Sequence, residues 1–215
     1  MTDEPVALDR LPGVAYQGGM IGAQDSQWAL PLVASDASWL PTALADLDAV
    51  MRDHMHCERK AATSALSLLR AYPDRADVVD WTARLAHEET RHIVQVAQAL
   101  TRRGQVPGHD HGDDYAAALQ KLVRKTEPGR LLDRLLVFAI IEGRSAERLG
   151  LLGQALPEPR ERQLYQTLAQ AEVRHRDGFL QLASQTDPLW KSRAVELCAH
   201  EAAILVKLPV EARIH

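Results

Sequence analysis

The chain has 215 residues, 46% of them hydrophobic and 25% charged, and a formal net charge of −4. This length fits one domain with a substantial core, and the composition is ordinary for a soluble globular protein. The charge argues against a strongly basic nucleic-acid binder, no apolar run approaches a membrane span, and the first residues lack the features of a signal peptide, so we expect a cytoplasmic protein.

The cysteine content is low, with Cys57 and Cys198 only. Two cysteines are too few for a disulfide framework or a thiolate zinc site, and they fit a reducing compartment. We interpret both as small buried hydrophobic residues.

The first half of the chain predicts an irregular segment followed by two long helices. Residues 1–38 contain scattered glycines and no sustained periodicity. A helical pattern begins near Pro41 and ends at Tyr72-Pro73-Asp74. A second helix is predicted from about Asp74 to Arg103, where cations in the last turn precede Gly104.

The second half predicts a crossover and three more helices. Residues 104–112 form a Gly- and Pro-rich loop, and Asp113 to Lys125 predict a short amphipathic helix. A strongly apolar helix follows over about 130–154 and is expected to be central. The remaining patterns predict helices over roughly 158–184 and 188–206, before a tail at 207–215.

A repeated pattern of Glu and His is the strongest functional signal in the sequence. Glu58 precedes Glu89-Thr90-Arg91-His92 by 31 residues, and Glu142 precedes Glu172-Val173-Arg174-His175 by 30. Residues three apart share one helix face, so each Glu-x-x-His pair can bind one metal ion. Two such helices, each paired with a helix that offers one Glu, are typical of ferritin-like di-iron and di-manganese carboxylate bundles.

The predicted fold is therefore all-α. No segment shows the alternation of a half-buried strand. Four long helices, a long crossover between helices 2 and 3, and an additional C-terminal helix predict a ferritin-like four-helix bundle over residues 39–206.

Six residues are the predicted metal ligands: Glu58, Glu89, His92, Glu142, Glu172 and His175. Burying four carboxylates requires compensation, which two divalent cations provide. Their charge would also cancel the net −4, so a local basic patch remains compatible with the composition. Oxygen and imidazole ligands suit iron or manganese.

Several other residues near the motif are alternative candidates. Glu147 competes with Glu142, but the repeat spacing selects Glu142. A zinc-protease motif is rejected because His87 and His92 are five residues apart rather than four. His54 is either a partner of Glu58 or an ordinary polar residue, and Asp133 is a candidate to orient a ligand histidine.

Other polar and aromatic residues carry weaker signals. The loop residues His109 and His111 are interpreted as solvated rather than metal-binding. The four tryptophans are interpreted as packing residues rather than a cofactor-binding cluster.

Three segments resemble one known family: residues 53–62 (DHMHCERKAA), 127–133 (EPGRLLD) and 141–148 (IEGRSAER). They are similar to the tRNA 2-methylthio-isopentenyladenosine hydroxylases of the MiaE type. The resemblance covers roughly residues 50–206, whereas the N-terminal forty residues match weakly. Gly143 and Ala146 stand where the family motif is expected to carry Ala and Cys.

The resemblance implies a ferritin-like fold and a non-haem di-iron centre on the six residues named above. It implies O2-dependent hydroxylation of the isopentenyl group of the modified adenosine next to the tRNA anticodon. Such a monooxygenase needs two external electrons per turnover, so a reductase or ferredoxin partner is expected. An anticodon loop offers the unstacked bases that proteins recognise in RNA.

Contacts to tRNA phosphates are expected from basic residues of the crossover and the third long helix, although a solvated helix face explains these residues equally well. The candidates are Lys121, Arg124, Lys125, Arg130 and Arg134. Two other functions use the same six ligands: a ferritin-like iron-binding or ferroxidase protein, and a di-iron oxygenase that acts on a small molecule.

Overall fold

The computed structural model describes residues 28–215, and these contain helices but no β-strand. The seven helices are α1 (Trp39–Ala45), α2 (Leu47–Ala71), α3 (Ala76–Arg102), α4 (Asp114–Gln120), α5 (Gly129–Ala155), α6 (Pro159–Thr186) and α7 (Trp190–Leu205). The all-helical prediction is confirmed. The part of the predicted irregular segment that precedes residue 28 lies outside the described residues.

The first predicted helix is interrupted. Its pattern was expected to run without a break from Pro41, but α1 ends at Ala45 and α2 begins at Leu47. Between them the side chain of Asp46 accepts a hydrogen bond from Ala49 N at 3.0 Å. This N-cap satisfies a free amide at the start of α2, which explains a break that hydrophobic periodicity does not reveal.

Two long hairpins form the bundle. The turn after Ala71 returns the chain so that α2 packs along α3, and α5 packs along α6 in the same way. The crossover that joins the hairpins contains α4, while α7 packs on α4, α5 and α6. Gly104, with φ of +72°, follows α3 in the left-handed conformation expected of a glycine after a helix end.

The predicted ligands lie between two hydrophobic clusters. On α2, Met55 belongs to one cluster and Ala65 to the other. On α5, Ile140 and Leu149 are divided in the same way. Glu58 and Glu142 lie between these positions in the sequence. The two hydrophobic clusters therefore hold α2 and α5 in place on both sides of the polar residues.

A buried ion pair joins α7 to the bundle. The Arg144 guanidinium lies 2.7 Å from Glu201 Oε1, and both side chains are almost fully buried. Tyr115 of α4 donates a hydrogen bond to the same carboxylate oxygen at 3.0 Å. This network fixes the crossover and α7 against α5.

The segment after α7 is held against the bundle. Arg213 lies 2.9 Å from Asp53 Oδ1, Ile214 is buried, and Arg148 donates to the Ile214 carbonyl at 2.9 Å. Across residues 28–215, no helix is both long enough and apolar enough to span a bilayer.

Candidate metal centre

Four helices bring the six predicted ligands together. Glu58 comes from α2, Glu89 and His92 from α3, Glu142 from α5, and Glu172 and His175 from α6. Each of the six side chains is buried. Their convergence at one depth of the bundle follows from the matching spacing of the motif in the two halves.

The donor atoms form two overlapping groups. One group contains Glu58, Glu89, His92 and Glu172, and the other contains Glu89, Glu142, Glu172 and His175. Within each group the ligand atoms lie within 4.8 Å of one another. Two groups that share two carboxylates can hold two metal ions side by side.

Both imidazoles direct Nδ1 toward the carboxylates. His92 Nδ1 lies 3.2 Å from Glu89 Oε2 and 3.4 Å from Glu58 Oε2. His175 Nδ1 lies 3.0 Å from Glu89 Oε1 and 3.4 Å from Glu172 Oε2. The two rings stack with their centroids 5.6 Å apart. The same nitrogen of each ring is thus available to a metal.

The carboxylates and imidazoles perturb one another strongly. Burial, together with the nearby Glu172 and Glu89 charges, raises the pKa of Glu142 well above its usual range. Burial also raises the pKa of Glu89. Although burial alone lowers the pKa of His92, hydrogen bonds to Glu58 and Glu89 raise it to about 10. The cluster therefore needs positive charge in the interior, which protons or metal cations can supply.

Unsatisfied buried atoms support a metal in this position. Glu89 Oε1 and His175 Nε2 make no well-aligned hydrogen bond within residues 28–215, although His175 Nδ1 lies 3.0 Å from the first atom and Glu88 Oε2 lies 3.3 Å from the second. A buried carboxylate oxygen without a well-aligned donor is costly, and coordination by a cation removes that cost. The oxygen and imidazole donors fit iron or manganese. The residues present therefore fit a di-metal centre.

Two residues outside the ligand set contact it. His54 Nε2 lies 2.7 Å from Glu58 Oε1, and the His54 ring stacks on Tyr165. The sequence left the role of His54 open, and the structure makes it the partner of Glu58. Glu88, which the sequence pattern did not indicate as a functional residue, places Oε2 3.3 Å from His175 Nε2. Its only sequence signal is its position directly before the Glu-x-x-His pair.

The rejected and alternative candidates lie elsewhere. Glu147 accepts hydrogen bonds from Ser35 at 2.7 and 2.8 Å. Asp133 does not orient a ligand histidine, since its carboxylate accepts from Arg124 and Arg193 at 2.8–3.0 Å. These two arginines thus account for the buried charge of Asp133. His109 and His111 are exposed loop residues, as the sequence predicted.

The five basic residues predicted to contact tRNA phosphates differ in whether other side chains already engage them. Lys121, Lys125 and Arg130 are exposed. Arg124 is engaged by the buried Asp133, whereas Arg134 contacts Ser67 Oγ at 3.1 Å and lies over the Tyr72 ring. Only the first three therefore present free cations to the surface, and Arg134 belongs to a cavity wall.

A cavity of about 460 Å³ leads to the carboxylates. Its lining extends from the buried Glu58, Glu142 and Glu172 to the exposed Arg59. Apolar side chains line the part formed by α5 and α6: Phe138, Ile141 and Phe179. This volume is typical of small-molecule sites. An apolar group can therefore lie next to the candidate metal ions.

Comparison with known proteins agrees with this geometry. Residues 28–215 match the family described as tRNA-(MS[2]IO[6]A)-hydroxylase (MiaE). The chain belongs to the MiaE family. One MiaE relative, from Pseudomonas putida, is named tRNA 2-(methylsulfanyl)-N(6)-isopentenyladenosine(37) hydroxylase and is 39% identical over 180 residues, which cover 83% of this chain and 87% of the relative.

Two further proteins extend the comparison. A Salmonella typhimurium protein of the same name as the Pseudomonas relative is 27% identical over 187 residues, with coverage of 65% of this chain and 69% of that protein. A solved structure, described as protein 43 with aldehyde deformylating oxygenase activity from Synechococcus, is 35% identical with a TM-score of 0.81. The alignment covers 86% of this MiaE chain and 94% of the Synechococcus chain.

Proposed function

We propose that this protein is a non-haem di-iron monooxygenase that hydroxylates the isopentenyl group of 2-methylthio-isopentenyladenosine next to the anticodon in tRNA. The observation that carries the proposal is the convergence of six buried carboxylate and imidazole side chains on two overlapping donor groups beside a partly apolar cavity. Membership of the MiaE family and the names of the relatives support the substrate.

The six ligands would hold two iron ions, with Glu58 and His92 on one side and Glu142 and His175 on the other. When bound, the iron pair supplies activation of O2 and transfer of one oxygen atom to a C–H bond. His54 orients Glu58 through its 2.7 Å contact, and Glu88 orients His175 through Nε2. Such partners fix the ring and carboxylate geometry of metal ligands.

The cavity would position the substrate. Phe138, Ile141 and Phe179 can enclose an apolar prenyl group next to Glu142 and Glu172, and the bound group would then be shielded from water. Arg59 and Lys60 line the same cavity and can face the phosphates of the RNA that carries this group. Binding of an extruded base in such a cavity suits an anticodon loop.

The stoichiometry of the reaction requires a source of electrons in addition to the tRNA substrate. Insertion of one oxygen atom of O2 and reduction of the other to water consume two electrons and two protons. We infer that an external reductase or ferredoxin supplies these two electrons. The tRNA anticodon loop is the second partner.

The decisive experiment is mass spectrometry of tRNA nucleosides. The iron-loaded protein, supplied with an electron donor and O2, is incubated with tRNA that carries the isopentenyl precursor. We expect a product heavier by one oxygen atom, and incubation under 18O2 should label it. Glu89→Ala is the control for the candidate metal centre. An unchanged precursor with fully loaded wild-type protein would reject the proposal.

The solved relative with aldehyde deformylating oxygenase activity favours a second candidate, a di-iron oxygenase of a small apolar molecule. The cavity residues Phe138 and Ile141 are compatible with such a substrate. Incubation of the same reconstituted protein with a long-chain aldehyde distinguishes the two. Conversion of the aldehyde without modification of tRNA would select the small-molecule function.

A further inference from the structure

A second cluster of ligand-type side chains lies outside the six-residue centre. Cys57 of α2, Asp113 before α4 and His215 place one donor atom each within 4.8 Å of one another. Cys57 Sγ lies 3.7 Å from His215 Nδ1, which in turn lies 3.2 Å from Asp113 Oδ2. Residues from three distant parts of the sequence thus converge on one point.

The donor spacing fits a tetrahedral metal ion. Zinc binds cysteine sulfur at about 2.3 Å and histidine nitrogen or carboxylate oxygen at about 2.0–2.2 Å, which puts neighbouring tetrahedral donors about 3.3–3.6 Å apart. The observed 3.7 Å between Cys57 Sγ and His215 Nδ1 and 3.2 Å between His215 Nδ1 and Asp113 Oδ2 are close to these separations. Small shifts would complete the coordination.

The geometry does not fit a Cys-His-Asp catalytic relay. A relay uses the two ring nitrogens separately, one toward the thiol and one toward the carboxylate. Here the same nitrogen of His215 faces both Cys57 and Asp113, while Nε2 lies 3.0 Å from Ser145 Oγ. In a metal-binding histidine, one ring nitrogen faces the ion and the other contacts a neighbouring hydrogen-bonding group. The two nitrogens of His215 have this arrangement.

The side chains are held in position by their other contacts. The His215 side chain is 3% exposed and its ring stacks on Tyr115 with centroids 5.1 Å apart. Asp113 uses Oδ1 to cap α4 by accepting from Ala116 N at 2.8 Å, which leaves Oδ2 directed at the cluster. Asp53 Oδ2 lies 3.7 Å from Cys57 Sγ and adds negative charge beside it.

One cation already contacts the cluster. Lys60 Nζ lies 3.2 Å from Asp113 Oδ2 and 3.9 Å from Asp110 Oδ1. A metal ion on Asp113 would repel this ammonium, and the second carboxylate gives Lys60 another partner. Cys57, Asp113 and His215 all line the 460 Å³ cavity.

Cys57 is only partly buried, so it is not the buried hydrophobic residue that the sequence predicted. We propose that Cys57, Asp113 and His215 form a second metal site, with a single thiolate, that binds a divalent ion of the zinc class. The ion would join α2, the crossover and the segment after α7, and would close one wall of the cavity. The three protein ligands leave a fourth position for water or a substrate group.

The test uses Co2+ as a spectroscopic probe of the full-length, metal-free protein. Coordination by cysteine produces a near-ultraviolet cysteinate-to-Co2+ charge-transfer band, which the carboxylate and imidazole centre cannot produce because it contains no thiolate. We expect the band in the wild-type protein and its loss in Cys57→Ser. Cys198→Ser is the matched control and should retain the band.

Three variants complete the test. His215→Ala and Ser145→Ala should each weaken Co2+ binding at this site, the latter by about 10–100-fold because it removes the partner of Nε2. Glu89→Ala should leave the band in place, which separates this site from the di-iron proposal. Absence of the band from the wild type, or its persistence in Cys57→Ser, would overturn the inference. Circular dichroism melting verifies the fold of each variant.

Discussion

Glu89 and Glu172 belong to both donor groups at the centre of the bundle, whereas Glu58 and Glu142 belong to one group each. The shared pair occupies matching positions on α3 and α6, one helical turn before His92 and His175. Glu89 and Glu172 would therefore each serve as a ligand in both groups when two ions are bound.

The shared position of Glu89 and Glu172 predicts unequal losses of iron. Wild-type protein should bind about two iron ions per chain. Glu89→Ala or Glu172→Ala should lose nearly all of this iron, because each substitution removes a ligand from both ions. Glu58→Ala or Glu142→Ala should retain roughly one ion. Elemental analysis after anaerobic loading measures the difference, and equal retention in all four variants would contradict a shared role.

The sequence predicted these six residues because helix periodicity converts a spacing of three into a shared face. It predicted the helices for the same reason, since apolar periodicity is a local signal. It did not predict the cluster of Cys57, Asp113 and His215, whose members lie on α2, in the crossover and after α7. Such convergence depends on tertiary packing, which leaves no regular spacing in the chain.

The buried pair of Arg144 and Glu201 was missed for the same reason. A charged residue in an apolar helix gives no indication of which distant carboxylate compensates it. The break at Asp46 was missed because one capping hydrogen bond outweighs a continuous hydrophobic pattern. The sequence thus predicts the helices but not which distant residues pair with one another.

His54 is predicted to support the metal ion held by Glu58. His54→Ala removes the 2.7 Å contact to Glu58 Oε1 and should weaken iron binding on that side by about 10–100-fold. His54→Gln, which keeps a hydrogen-bond donor, should restore much of the affinity. His56→Ala is the matched control, because the buried His56 ring makes no hydrogen bond within residues 28–215. Equal effects of His54→Ala and His56→Ala in iron titrations would argue against this role.

Asp133 is predicted to make the stability of the fold depend on pH. Burial raises its pKa, but hydrogen bonds from Arg193 and Arg124 outweigh burial and hold the pKa below the usual range. Because the pKa of Asp133 is lower in the folded than in the unfolded state, its ionised carboxylate stabilises the fold. This stabilisation is fully present above the unfolded-state pKa of about 3.9 and is lost as the pH falls through the folded-state pKa.

Asp133→Asn should therefore lower the free energy of unfolding by about 2 kcal/mol at neutral pH. The difference from the wild type should shrink as the pH falls below about 4. Urea unfolding at several pH values measures it. Asp80→Asn is the control, since the pair of Asp80 and Arg84 is largely exposed and should contribute little. A difference that stays constant with pH would exclude this explanation.

Gly178 is predicted to be required for the contact between α3 and α6. A Cβ added at Gly178 would overlap the indole ring of Trp81, a bulky group that also packs edge-on against Phe179. Gly178→Ala should destabilise the fold by about 1–3 kcal/mol through overpacking. At Gly143 the same addition meets the methyl end of Leu32 at 2.9 Å, which can move, so Gly143→Ala should cost less. Thermal unfolding of both variants tests the comparison, and Trp81→Leu should relieve the effect of Gly178→Ala.

Lys121, Lys125 and Arg130 are predicted to contact tRNA phosphates. All three are exposed, whereas the neighbouring Arg124 pairs with Asp133 at 2.8 Å. Substitution of all three by Ala should weaken binding and reduce the slope of log affinity against log salt by about 2, since each phosphate contact contributes about 0.7 for single strands.

The control for this prediction is Arg84→Ala, an exposed cation on α3 that pairs with Asp80. Its removal should leave the salt slope nearly unchanged. Binding is measured with tRNA at several salt concentrations, and iron content is measured in parallel to show that the candidate metal centre is intact. A triple variant with the wild-type slope would mean that these cations form a solvated face and that tRNA is bound elsewhere, with the cavity residues Arg59 and Lys60 as the next positions to test.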